Sequence, residues 1–329
     1  MTQYSPGIGF SPLERRREVI IELAVLAEEC GYGRIALGEG WSWDVHLLLA
    51  EVGARTENIQ LLSSVVSVYS RTAATIAMSA ATLAVQTGGR YSLGLGVSSK
   101  ALTEGLHDSD YLAPVSRLRN TVEQVRDFLQ GKRCKTARNM RPLRLGFEAV
   151  PCVPIYVAAL APYSLQLTGE LADGWLPFLV PPEQLSRFVN EMAKGRVQRE
   201  EGLSSEIHIS PTIPTLVSMN ADEVRSVMGS LVVNYLVSMG EFYRPFLEKI
   251  GYAKEVESIC RANEIHNDGV IPSAGERLLY EQTIFGTPED ARNRLNEWYA
   301  SGADEPLLAL PPGAPIELLR ETVKSMAPR

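Results

Sequence analysis

Two carboxylates and two tryptophans fall within Glu39-Gly40-Trp41-Ser42-Trp43-Asp44. A carboxyl group walled by aromatic rings is desolvated, its pKa rises, and it becomes able to give a proton near neutral pH. Glu39 and Asp44 are therefore candidate general acids, with Trp41 and Trp43 as walls for a flat ligand. Asp44 has a second use, as the N-cap of a following helix, whereas Glu39 has no helix to cap. His107-Asp108 is another pair suited to proton transfer, and a plain surface histidine is its alternative reading. Two runs carry small residues, Ser63-Ser64-Val65-Val66-Ser67 and Gly94-Leu95-Gly96-Val97-Ser98-Ser99. They leave room for a flat group or allow close backbone approach; filling of a barrel layer or a tight bend explains them equally well. In Leu160-Ala161-Pro162-Tyr163-Ser164 the proline suits an early helical slot. The amide groups behind it would form an anion site that fits a phosphate.

Such residues need a frame that gathers them. Short β-branched or apolar runs alternate with stretches of helical period, the pattern of βα units on a parallel sheet. Strands are predicted at Pro6 to Phe10, Arg34 to Leu37, Ile59 to Val68, Tyr91 to Val97, Pro154 to Leu160, Trp175 to Leu179, Glu206 to Ser218 and Leu307 to Leu310. Pro211 and Pro214 predict bends in the seventh. Helices are predicted between them, for instance Glu14 to Cys30, Asp44 to Arg55 and Thr72 to Val85. Another is Ser116 to Leu129, where Leu118, Val122, Val125 and Leu129 fall in phase. Lys132 to Val150 lacks a helical period and reads as a loop or hairpin insertion. Ala221 to Arg261 is too long for one unit and should hold several helices. The economical fold is α/β: a single (β/α)8 TIM barrel over residues 1–329, with insertions before strand 5 and between strands 7 and 8. A doubly wound sheet is the rival, but no Gly-x-Gly-x-x-Gly follows an early strand. Barrel active sites lie at the C-terminal ends of the strands, where the candidate residues fall.

Composition narrows the function. With 32 basic against 39 acidic residues, a net charge of -7 and no basic stripe, a nucleic-acid or anionic-membrane surface is not expected. Hydrophobic residues at 45% and charged ones at 22% exclude disorder over most of the chain. Cys30, Cys134, Cys152 and Cys260 form no Cys-x-x-Cys pair, so reduced thiols in a cytoplasmic protein are expected, and no metal site. Arg15, Arg16 and Arg17 lead into an amphipathic stretch rather than a signal peptide, and no apolar run reaches the length of a membrane span.

The order of several segments resembles the bacterial luciferase-like superfamily. They are Tyr69-Ser70-Arg71, Ala80-Ala81-Thr82-Leu83 and Gly88-Gly89-Arg90-Tyr91-Ser92-Leu93-Gly94-Leu95-Gly96-Val97-Ser98. Further runs are similar to the branch that uses the deazaflavin coenzyme F420, which includes methylenetetrahydromethanopterin reductase. These are Glu39-x-Trp41 with Asp44, Glu104-Gly105-x-His107, Leu171-Ala172-Asp173-Gly174-Trp175-Leu176-Pro177 and Gly286-Thr287-Pro288-Glu289.

The resemblance implies a (β/α)8 barrel, a homodimer and a small-molecule substrate. It also implies a bulge in strand three with a non-prolyl cis peptide at Ser64-Val65, behind the cofactor ring. By match, the cofactor set is Trp41, Ser63, Ser64, Val65, Gly96, Val97, Ser98, Ala159, Leu160, Ala161, Trp175, Leu176 and Pro177, with the phosphate at the Leu160-Ala161 turn. The family's usual Gly-Pro is Ala161-Pro162 here, and its Trp-His-Gly is Leu106-His107-Asp108. The histidine and glutamate of the sugar-phosphate dehydrogenase branch are replaced by Gly40 and Ser99, so that branch's acid–base residues do not carry over. The implied reaction is hydride transfer between F420 and an activated C=C, C=N or C=O. Glu39 is then the first candidate as general acid or as the group positioning one, His107 the second and Asp44 the third. Two alternatives stand beside it. An FMN-dependent monooxygenase would use the same turn and bulge, and a barrel without cofactor would be an accessory protein. The acidic tail of F420 would suit Lys100, Arg138 and Arg141.

Overall fold

The computed structural model describes residues 5–134, 141–150, 153–199, 201–265 and 268–328; Arg138 and Cys152 lie outside them. Ten strands are formed: β1 Gly7–Phe10, β2 Arg34–Leu37, β3 Gln60–Ser67, β4 Tyr91–Gly96, β5 Ile155–Val157, β6 Gly174–Trp175, β7 His208–Ile209, β8 Thr212–Val217, β9 Ile284–Gly286 and β10 Leu307–Leu310. They make one parallel sheet in the order β7-β6-β5-β4-β3-β2-β1-β10-β8-β9. Only Ser210 and Pro211 separate β7 from β8, yet β7 pairs with β6 and β8 pairs with β10. The sheet therefore curls back on itself. The Thr212 amide donates to the Pro177 carbonyl at 2.9 Å across the meeting point. The fold is α/β with a curled parallel sheet, and helices cover its outer side.

Sequence and structure differ in several places. The seventh predicted strand is two strands, because Pro211 has no amide hydrogen to continue the ladder. Pro214 does not bend the chain out of the sheet; it sits within β8, opposite Ala309. The fifth and sixth strands shrink to Ile155–Val157 and Gly174–Trp175. The elements not predicted include β9, which pairs with the far end of β8, the short helix Lys100–Gly105, whose N-cap Ser99 accepts from the Leu102 amide, and the helix Glu276–Gln282, beyond the stretch expected to end at Arg261. All are too short to show a period. The stretch after Lys132 carries an antiparallel bridge between Cys134 and Leu143, and the one after β8 holds the helices Ala221–Val237, Gly240–Leu247, Ala253–Ala262 and Glu276–Gln282.

Local chemistry starts and stops these helices as expected. Asp44, Thr72 and Thr287 cap Val45–Arg55, Ala73–Gln86 and Pro288–Ala300 through side-chain oxygens. Gly31, at φ 83, turns the chain out of Arg17–Glu29.

Inside the curl, the end at the strand starts is polar. Arg34 donates to Glu305 at 2.6 Å and to Ser92 at 3.1 Å, and its guanidinium lies 5.4 Å from the Tyr156 ring centre. The next layer is apolar, made by Ala36, Leu62, Tyr156, Leu176 and Leu307, with Val65 and Ala158 packed on it. Among the described residues no helix is long and apolar enough to cross a membrane.

Candidate active site

At the ends of β2 and β3 one arginine holds two carboxylates. Arg71 donates to Glu39 at 2.5 Å and to Asp44 at 2.7 Å. The Ser70 hydroxyl adds a contact of 3.4 Å to the same Glu39 oxygen. The Glu39 side chain is 9% exposed and that of Arg71 16%. The guanidinium thus binds one oxygen from each carboxylate in charge-assisted hydrogen bonds. Asp44 caps its helix, accepting from the His46 and Leu47 amides at 2.9 and 3.2 Å. Burial works to raise the Asp44 carboxyl. The hydrogen bonds from Arg71 and Leu47 and the Arg71 charge outweigh it and hold the pKa below the ordinary value. This corrects the expectation of a tryptophan wall that raises that carboxyl. Trp41 and Trp43 are each 47% exposed, and Trp43 donates to the Arg15 carbonyl at 3.1 Å.

Beneath this bridge lies His46, in the first turn of the same helix and 6% exposed. Neither ring nitrogen has a hydrogen-bond partner among the described residues, and the ring stands edge-on to Tyr91 at 6.1 Å. Burial first, and the Arg71 charge second, push its pKa down to about 4, against the pull of Glu39 and Asp44. The native imidazole is thus neutral where the unfolded one, near 6.5, takes up a proton. Stability is whole above pH 6.5 and falls as the pH drops towards 4, by roughly 3 kcal/mol at full effect. His208 acts in the same direction, pushed down to about 4 mainly by burial. A His46→Phe variant should show a flatter loss over this window. Urea midpoints measured at pH 8 and pH 4.5 check it, and an unchanged slope would remove His46 from the account.

The middle of β3 departs from regular pairing. Its register against β4 shifts between Ser63 and Val66, and the Ser64-Val65 peptide is cis. Ser64 and Val65 are half-buried, whereas Ser63 is fully buried. The Ser63 hydroxyl lies 3.0 Å from that of Tyr91 and accepts from the Gly94 amide at 3.0 Å. Gly94 and Gly96 make space for this bulge. A Cβ on Gly94 would lie 2.1 Å from the Ser63 carbonyl oxygen, and one on Gly96 would lie 2.6 Å from Val65 Cγ2. The glycines therefore serve close approach by the protein's own bulge. Gly94→Ala should cost at least about 3 kcal/mol, since backbone oxygen cannot yield as a side chain can. Chemical denaturation measures it, and a loss under about 1 kcal/mol would mean that the bulge repacks freely.

Around the rim, Val97, Ser98 and Leu160 are half-buried, while Ala159, Leu176 and Pro177 are buried. Leu176 faces the interior layer. Trp175 faces the other way: it is fully buried, donates to the Ala159 carbonyl at 2.9 Å and stacks on Phe188 at 5.9 Å. Its place is the packing between sheet and helices. Ala161 is the extended N-cap of Pro162–Leu171, and no side chain caps that helix. The amides of Tyr163 and Ser164 thus point out of its first turn without an intrahelical acceptor. His107 is half-buried just past the helix Lys100–Gly105, and Asp108 beside it is exposed. No hydrogen bond joins the two side chains. Ser98, Asp108, Ala113 and Leu179 take positive φ of 58, 48, 46 and 55°. Such backbone costs about 1–3 kcal/mol per residue and gathers at functional sites; Ser98 and Leu179 each follow closely on a strand end.

The structure thus brings Glu39 and Asp44 together through Arg71, and sets Val65 of the β3 bulge against Gly96 of β4. Sequence reasoning assigned no role to Arg71 or His46. The signal for Arg71 was present, a cation just after a strand end opposite two acids. Nothing local marks His46. A separate groove of about 530 Å³ is lined by Arg17, Ile21, Leu26, Glu51, Arg55 and Lys324. It belongs to the outer helical layer and not to the strand ends.

A sequence model of the luciferase-like monooxygenase family matches residues 5–305. A Mycobacterium tuberculosis protein whose name carries a provisional assignment as a coenzyme F420-dependent oxidoreductase is 25% identical over 303 residues, 85% of this chain and 87% of that protein. The 5,10-methylenetetrahydromethanopterin reductase of Methanolobus tindarius is 26% identical over 314 residues, 93% of this chain and 94% of that one. The structure of the coenzyme F420-dependent tetrahydromethanopterin reductase from Methanopyrus kandleri superposes with a TM-score of 0.78 at 18% identity, covering 99% of this chain and 98% of that chain.

Proposed function

Because the chain belongs to the luciferase-like monooxygenase family and is an oxidoreductase of it, we propose that it binds coenzyme F420. The reaction is hydride exchange with an activated C=C, C=N or C=O of a small molecule. The observation that carries this reading is the β3 bulge at Ser64-Val65 on the same sheet as an uncapped helix N-terminus at Ala161, which follows β5 two strands along. The residues present suit the cofactor. Ser64, Val65, Val97 and Ser98 offer backbone and small side chains to a flat ring, and the Tyr163 and Ser164 amides offer donors to a phosphate. Ala159, Leu160, Leu176 and Pro177 back that surface. When bound, the cofactor supplies a hydride at C5, an electron pair for the substrate carbon.

The chain's own work is positioning and proton supply. Arg71 grips Glu39 and Asp44 together, so their role is to brace the wall beside Trp41. His107, half-buried on the segment after β4, is assigned to supply the proton that completes the reduction, to the heteroatom of a C=N or C=O or to the second carbon of a C=C. We read the curled sheet as an eight-staved barrel in which β7 and β8 form one stave and β9 is extra.

A homodimer is part of the proposal. The helix Ala73–Gln86 has no charged residue and packs beside Val45–Arg55. Together they expose Leu47 at 74%, Met78 at 52% and Val85 at 70%, an apolar face suited to a second copy.

Fluorescence titration of the purified protein with F420 and with FMN tests the reading. Micromolar binding of F420 with no binding of FMN is expected. Preference for FMN would move the chain to oxygen-using chemistry, and binding of neither would leave an accessory protein.

A further inference from the structure

The rim has a second half that the cofactor reading leaves unused. Phe178, just after β6, meets Tyr235 of the helix Ala221–Val237 at 4.9 Å and Tyr243 of Gly240–Leu247 at 5.6 Å, both edge-to-face. The two tyrosines are 5.4 Å apart, and Phe242 extends the group at 5.3 Å from Tyr243. Ser11, just after β1, lies near the Tyr235 hydroxyl, where it works against the rise that burial causes in the Tyr235 pKa. The cluster therefore spans the rim from β6 to β1, across from the bulge in β3. It is not closed off: Phe178 and Tyr243 are half-buried, and Phe242 is 47% exposed. Leu179, at φ 55, takes a backbone rare for a bulky side chain directly behind Phe178. Arg244, next in sequence, turns its guanidinium to the Leu236 carbonyl. The Tyr243 hydroxyl makes no hydrogen bond among the described residues.

We propose that this aromatic cluster is the wall on which the body of the substrate packs, and that the substrate is an uncharged molecule with a ring beside its reducible carbonyl or alkene. Aromatic ring edges favour another ring, and the cluster offers an anion no cation of its own. The inference rests on the F420 reading for the reaction but not for the binding surface.

The test uses the full chain with F420 bound, and acetophenone and para-acetylbenzoate as matched neutral and anionic aryl ketones. Dissociation constants are read by ligand-observed NMR. Acetophenone should bind at least about tenfold more tightly than para-acetylbenzoate. Phe178→Ala and Tyr243→Ala should each weaken acetophenone by about fivefold or more. Tyr243→Phe keeps the ring and should stay within about twofold, which separates lost wall from lost fold. Equal binding of the anionic ketone, no binding of acetophenone, or an affinity unchanged in both alanine variants overturns the proposal. F420 is titrated separately into each protein. If the wild type fails to bind it, the cofactor reading falls, and the same ketone titrations on the cofactor-free chain still decide the wall.

Discussion

An Ala161→Asp variant is expected to bind F420 at least about 100-fold less tightly than the wild type while melting no lower. The two effects separate because one position serves two purposes. Ala161 is the extended N-cap of Pro162–Leu171, with φ -86 and ψ 148° and no side-chain cap. Aspartate is a favoured N-cap residue, and its oxygen would accept from the free amides of the first turn, adding about 1 kcal/mol to the fold. The same carboxylate would take the donors that a phosphate needs and place like charge against it. Two unit charges about 4 Å apart at an effective dielectric near 20 repel by roughly 4 kcal/mol, which covers the expected hundredfold loss. Fluorescence titration and thermal melting of the two proteins measure both sides. An affinity within about twofold of wild type would remove the phosphate from this turn.

The second large effect concerns the ion pair under the rim. Arg71→Met should lower the unfolding free energy by about 3 kcal/mol, because it leaves a nearly buried carboxylate without its cation. Glu39 would keep only the Ser70 hydroxyl at 3.4 Å. Turnover should fall with it, by about tenfold or more, since the wall beside the cofactor loses its brace. Glu39→Gln is milder, costing about 1 kcal/mol, as the amide oxygen still accepts from Arg71. The double variant Arg71→Met with Glu39→Met should recover much of the loss, for no lone charge remains buried. Urea denaturation of the wild type, Arg71→Met, Glu39→Met and their double variant closes the cycle. Additive losses would mean that the pair does not act as a unit. A Glu39→Gln enzyme that loses the alkaline limb of its pH–rate profile would restore Glu39 as the proton donor in place of His107.

Much of the frame was legible from the residues. The alternation of apolar runs and helical periods specified a parallel α/β sheet, because the periods of 2 and 3.6 come from the backbone itself. The caps at Asp44 and Thr287 and the proline at the start of Pro162–Leu171 were equally plain, since each acts on amides within one turn. Family resemblance, resting on motifs spread along most of the chain, located the bulge and cis peptide at Ser64-Val65 where the structure has them. The pattern also misled where a local rule met a tertiary one. Pro214 was expected to bend a strand and instead sits in β8, where the ladder tolerates a missing donor. The small residues Gly94 and Gly96 suggested room for a ligand, and the room is taken by Val65 and the Ser63 carbonyl.

What the chain alone determined is therefore the kind of sheet, the places where helices begin, and the strand ends at which chemistry would sit. Only the tertiary structure decided which groups face each other there. Arg71 lies 32 residues from Glu39 and 27 from Asp44, and their pairing depends on how β2 and β3 bring their ends to one level. The burial of His46 against Tyr91, 45 residues on in sequence, and the meeting of Phe178 with Tyr235 and Tyr243 arise in the same way. Hydrophobic period and capping are written in neighbours a turn apart. Charge pairing, desolvation and aromatic contact are properties of space, and only the curl of the sheet supplies that space.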